Sequence, residues 1–113
     1  MARNFVQPGE TITLPAPRAL ASGQGFLVGA LFAVALAAAA IGAPVEGRRV
    51  GVWDLAKATG EAWTAGQRLY WDNTAFRVTS TAAGNTLIGV AAQAQASADA
   101  TGRVLLSGQI PAA

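Results

Sequence analysis

Three carboxylates in the middle of the chain, Asp54, Glu61 and Asp72, are close enough in sequence to supply the pair that glycoside hydrolysis needs, one acid and one base or nucleophile on either side of a scissile bond. A second set joins Ser80 or Ser107 to Lys57, a hydroxyl nucleophile with an amine as its base. Neither set lies in a motif that would organise it. The carboxylates come with no cleft signal, and the serines end two β-type runs, AFRVTS and RVLLS. The chain has no histidine and no cysteine, so the usual zinc ligands, the commonest general base, thiol nucleophiles and any disulfide framework are missing. Nucleotide hydrolysis would need a glycine-rich loop ending in Gly-Lys-Ser/Thr, whereas Lys57 stands between Ala56 and Ala58. No enzyme, no cofactor and no metal site is expected.

What must position these residues depends on Gly25–Pro44, GFLVGALFAVALAAAAIGAP, which carries no charge. Its length suits a membrane-spanning helix, which needs about 20 apolar residues. Its contents do not: three glycines, eight alanines and a proline dilute the insertion gain, and no Trp or Tyr marks either end. The soluble alternative is two buried strands, Phe26–Val28 and Leu31–Ala38, separated at Gly29 and ended by a turn at Gly42–Pro44. Even positions from Phe26 to Leu36 read Phe, Val, Ala, Phe, Val, Leu, while the odd ones shrink to Gly and Ala. Such size alternation marks a strand with both faces covered.

The rest of the chain reads as short strands and turns. Thr11–Leu14 is one short strand within a proline-bearing segment, Pro8, Pro15 and Pro17, that reads as an extended arm over residues 1–24. Arg48–Leu55 alternates as a single strand, with Arg49, Gly51, Trp53 and Leu55 on one face. Lys57–Gly66 is turn-rich, with one helical turn expected around Glu61–Ala65. Arg68–Asp72 and Ala75–Ser80 form a hairpin across Asn73 and Thr74. After the turn at Ala83–Asn85, Thr86–Ala92 is a strand, and Ala92–Ala100 keeps a period of two that argues for its extension despite the helix propensity of alanine. Arg103–Ser107 closes the chain. The fold class expected is all-β, a small compact barrel or sandwich over residues 25–113.

Composition sets limits on partners. Twenty-seven alanines bury little area each, so stability leans on the few large side chains and on association with other copies or another protein. The pI of 9.9 rests on an excess of two positive charges, with seven arginines scattered except at Arg48–Arg49, which reads as a solvated surface rather than a nucleic-acid footprint. The opening MARNFVQPGE has no leader pattern, so export is not expected. The contact residues expected in the arm are Phe5, Val6 and Ile12 as apolar anchors, with Arg3 and Arg18 as polar partners. Trp53, Trp63, Tyr70 and Trp71 are the large rings, core fillers first and aromatic anchors for a partner second.

The string GVWDLAKATGEAWTAGQRLYWD from Gly51 to Asp72, then Gly84-Asn85, IGVA at Ile88–Ala91 and RVLLSG at Arg103–Gly108, resembles the small bacteriophage capsid cement, or decoration, proteins. GFLVGALFAVAL and the short proline-bearing N-terminus fit the same pattern, so the likeness covers nearly the whole chain. The resemblance implies a structural virion protein on the outer surface of the capsid, made in the host cytoplasm. It implies the major capsid protein as partner, and self-association as a homotrimer on a local three-fold position, with a dimer as the other arrangement. Neither nucleic acid nor membrane is an expected partner. The competing readings, a single-pass membrane protein spanning residues 25–44 and a basic DNA-associated protein, rest on the missing charges and on the pI.

Overall fold

Leu31–Ala35 (β3) is a strand with apolar matter on both faces, and the molecule is assembled around it. The structure, a computed structural model, describes residues 3, 4, 6–108 and 110. Phe32 and Val34 point into one core cluster while Ala33 and Ala35 point into another, as the alternation of size required. β2 (Gly25–Val28) precedes it across a tight turn in which Gly29 has φ 60°. The register pairs Val28 with Leu31 and Phe26 with Ala33, so Phe26 lies on the face opposite to Phe32. The large residues therefore change sides at the turn and do not form one continuous even-numbered series. β3 also stops at Ala35, because Leu36–Ala38 face solvent. Residues 25–44 thus form a hairpin and the start of a further strand where the membrane reading needed a helix. No helix among the described residues is long and apolar enough to cross a membrane.

Two strands complete this first sheet, β1 (Thr11–Pro15) and β4 (Pro44–Arg48), in the antiparallel order β1-β4-β3-β2. β4 replaces the expected turn at Pro44; its sequence, PVEGR, has a single apolar residue and gave no alternation to read. Gly47 is required there, since a Cβ would stand 2.8 Å from the Phe26 ring and 2.7 Å from the Ala33 methyl. β1 pairs with β4 along its whole length, and Ala16 and Leu20 are buried beyond it, Leu20 bridging to Ala39. The segment from Thr11 to Leu20 is accordingly packed into this sheet.

The chain crosses to a second sheet at Arg49, so the single strand expected over Arg48–Leu55 is two. β5 (Val50–Ala56) begins after the break, with Gly51 at φ 113°. Its alternation follows the sequence, Trp53 and Leu55 inward, Val52 and Asp54 outward. With β6 (Arg68–Asp72), β7 (Arg77–Thr79), β8 (Thr86–Ala91) and β9 (Thr101–Ser107) it forms an antiparallel sheet of order β5-β9-β8-β6-β7. The sheet curls until its edges meet in a parallel bridge between Lys57 and Val78, where the Ala58 amide donates to Val78 O at 2.8 Å, giving a half-barrel. Trp63, Trp71, Leu69, Val78 and Val104 fill it, and Phe32 reaches in from the first sheet with its ring 4.9 Å from that of Trp71. The fold is all-β, as expected.

Three local expectations are corrected. Glu61–Ala65 has no helical turn; Trp63 instead makes an antiparallel bridge with Gln95. Ala92–Ala100 is a loop apart from that bridge, because the Asp99 carboxylate takes the Ala96 amide at 2.9 Å and Gln95 Nε2 at 2.6 Å and turns the chain back. The β6–β7 turn spans residues 73–76, two more than the hairpin signal implied, since Asp72 Oδ1 accepts the Thr74 and Ala75 amides and Phe76 adopts φ 57°.

Candidate functional site

The residues with chemical potential are each committed to structure. Asp54 on β5 faces its register partner Arg103 on β9, with Nε to Oδ1 at 3.0 Å and Nη2 to Oδ2 at 3.2 Å. The Arg103 hydrogen bond and charge hold the Asp54 carboxyl below its ordinary range. Amides of Thr74 and Ala75 do the same for Asp72. Glu61 accepts the Trp63 indole N–H at 3.1 Å, the Ser80 amide at 2.6 Å and the Thr79 hydroxyl at 2.9 Å. Partial burial pushes the Glu61 carboxyl up, but these donors together outweigh it and its pKa falls below the ordinary value. A general acid at neutral pH needs its pKa raised. These three carboxylates are shifted the other way.

Lys57 is buried, 3% exposed, and its ammonium donates to three backbone carbonyls, Ala58 at 2.9 Å, Glu61 at 2.5 Å and Asp99 at 3.4 Å, beside the Trp63 ring. All three of its donors are thereby engaged. Ser107 lies at the far end of the β5–β9 ladder from this site, opposite Val50, about 20 Å away at ~3.4 Å per residue. Ser80 is nearer, and its amide is held by Glu61. The set pins the long β5–β6 loop to β7 and to the loop before β9.

The expected contact residues are dispersed. Phe5 lies outside the described residues. Arg3 and Val6 are exposed, Val6 at 89%. Ile12 is partly buried on β1 opposite Gly47. Arg18 is partly buried, donating to Gly25 O at 2.9 Å with its guanidinium 4.0 Å over the Phe76 ring, so it ties the first sheet to the β6–β7 turn. Trp63 and Trp71 are core rings, each 2% exposed, whereas Trp53 and Tyr70 are partly buried. Arg49 clamps both ends of the chain: its side chain donates to Gly9 O at 2.8 Å and Gly108 O at 2.6 Å, and its amide to Glu10 O at 2.7 Å.

One surface escaped the sequence reading. On the outer face of the half-barrel, Val52, Leu105, Val90 and Arg68 stand side by side on β5, β9, β8 and β6, in one register row. Val52 is 57% and Leu105 42% exposed. An open groove of about 150 Å³ lies along it, lined by Arg68, Leu87, Gly89, Val90, Leu105 and Ser107. The signal was the uniformly apolar VLL of β9, in which Leu105 breaks the inward and outward alternation of size.

A family model described as phage cement protein matches residues 6–106. No curated protein matches the chain, and no solved structure does.

Proposed function

This chain belongs to the phage cement protein family, a structural family that stabilises capsids, and we propose that it binds the outer surface of the assembled shell and bridges neighbouring major capsid subunits. The match over nearly the whole chain carries this reading, and the geometry suits it. A protein that binds only sites presented by the assembled shell stabilises that state by mass action, in proportion to occupancy. Bridging requires two adhesive surfaces on one body. The N-terminal segment supplies one: residues 3, 4 and 6–10 are exposed, and the chain is anchored just behind them by the clamp from Arg49 onto Gly9 and Glu10. Val6, with Phe5 and Arg3, is the grip we assign to it. Association as a homotrimer lets three such segments bind at once and multiplies their avidity.

Removing Met1–Pro8 tests the grip while leaving β1 in place. The truncated chain is expected to keep a β-type far-ultraviolet spectrum and its melting point, yet to leave purified shells during gradient sedimentation under conditions that retain the full chain. Equal retention would assign the grip elsewhere.

A further inference from the structure

We propose that the groove on the outer face of the half-barrel is a second docking site, and that its occupant is a segment of the major capsid protein presenting an apolar side chain next to a carboxylate. The proposal rests on the capsid-binding role above and names the surface that role leaves unassigned. Gly89 lines the groove at a position that takes no side chain, since a Cβ there would stand 2.1 Å from the Leu105 carbonyl oxygen. Its walls are Leu87, Val90 and Leu105, and a space of about 150 Å³ is the size that accepts a benzene-sized group. Arg68 closes one end.

Charge argues for a foreign partner over the same face of a second copy. Arg68 is exposed, and its guanidinium donates to no group among the described residues. Five of the six acidic side chains are already taken within the chain: Glu46 by Thr13, Asp54 by Arg103, Glu61 by Trp63, Asp72 by two amides, and Asp99 by Gln95. Glu10 is the sixth, at the root of β1, where the Arg49 amide holds its carbonyl. Among the described residues, the outer face of the half-barrel therefore has no carboxylate without a partner, so a symmetric pairing of this face with its own copy would leave Arg68 unanswered. A guanidinium beside an apolar trough selects a carboxylate next to an aliphatic or aromatic side chain, since its planar fork matches a carboxylate in two hydrogen bonds.

The experiment mixes the full chain with purified shells that lack it and measures retention on sedimentation against concentration, for the wild type, Arg68→Glu, Leu105→Gln and, as a comparator of equal charge change away from the groove, Arg77→Glu. Both groove side chains are exposed, so melting points should stay at the wild-type value. Arg68→Glu and Leu105→Gln are each expected to weaken binding on the order of tenfold or more, with Arg77→Glu close to wild type, and added salt should weaken the wild type toward Arg68→Glu. Retention of both groove variants at the wild-type level overturns the groove and leaves the capsid-binding role standing. Equal losses for Arg68→Glu and Arg77→Glu also overturn it, as an effect of net charge alone. So does conversion of an oligomer to monomer by Leu105→Gln in light scattering, which would make this face a contact between copies. Failure of the wild type itself to bind overturns both proposals together.

Discussion

Glu61 shows how a single side chain can hold a long loop without regular secondary structure in place. Its carboxylate gathers an indole N–H, a hydroxyl and an amide from two separate segments, and its own backbone carbonyl receives Lys57. Hydrogen bonds to a charged acceptor are worth more than neutral ones, so Glu61→Gln, which removes the charge and replaces one of the two accepting oxygens by N–H₂, should cost about 1–2 kcal/mol after allowance for partial solvent exposure. The sign with pH follows from the lowered pKa. Relative to an ordinary value of 4.5, the folded-state pKa is depressed, so the stabilisation is complete above the unfolded value and is lost as pH falls through the folded one. Urea unfolding at neutral pH should separate wild type from Glu61→Gln, and the gap should narrow as the buffer is taken below pH ~4. A gap that stays constant into acid would mean that the charge is not the source. The lysine at the same site works by the opposite route: its ammonium is buried among three carbonyl dipoles, with no carboxylate in contact among the described residues, and serves as a three-way structural pin.

Glycines and rings fix the elements. Gly102 on β9 has no Cβ because the Trp63 ring lies where it would be, 2.2 Å away at the closest atom. Gly102→Ala must push Trp63 out of the half-barrel, and overpacking of that kind costs about 1–3 kcal/mol or more. The expected readout is a lower urea midpoint together with a red-shifted tryptophan emission; Thr101→Ala, next to it and exposed, should change neither. That contact is long-range, which is why it could not be read from the sequence. What could be read were elements whose own residues state their surroundings: the two-sided β3, the aromatic β6, and the alternation of Trp53 and Leu55 on β5. What could not were elements defined by a neighbour. β4 exists because β1 and β3 need a partner between them, and PVEGR says little of this. Ala92–Ala100 kept a perfect period of two, but alanine buries too little area to enforce it. Its polar positions, Gln95 and Asp99, close a loop over Trp63 instead. The carboxylates of the candidate catalytic set were legible as residues, while their commitment to Arg103, to turn amides and to Trp63 depended on pairings between distant strands. The groove at Arg68 was hidden for the same reason, since it joins three strands.

Bridging two subunits, as proposed, requires a body that carries force between its adhesive surfaces, and the two surfaces assigned to it lie on different sheets. The N-terminal segment is rooted at β1 on the edge of the first sheet, and the proposed groove lies on the outside of the second. Between them the covalent link is a single crossing at Arg49, so stiffness has to come from packing. Phe32 and Val34 supply it, since both belong to the first sheet and are buried in the core of the half-barrel, Phe32 against Trp71. Arg18 adds a contact from the first sheet onto Phe76. The two sheets should therefore unfold as one unit. All three tryptophans lie in the second sheet and its loops, so their fluorescence reports that half, while far-ultraviolet dichroism reports both. Coincident urea transitions by the two probes are expected for the wild type. Phe32→Ala removes the ring that joins the halves and should cost about 3–5 kcal/mol. In that variant the fluorescence and dichroism transitions should pull apart, and retention on shells should fall even though neither adhesive surface has been touched. Separate transitions in the wild type would instead show two independently folding sheets, and a protein built that way would stretch at the crossing rather than hold two subunits together.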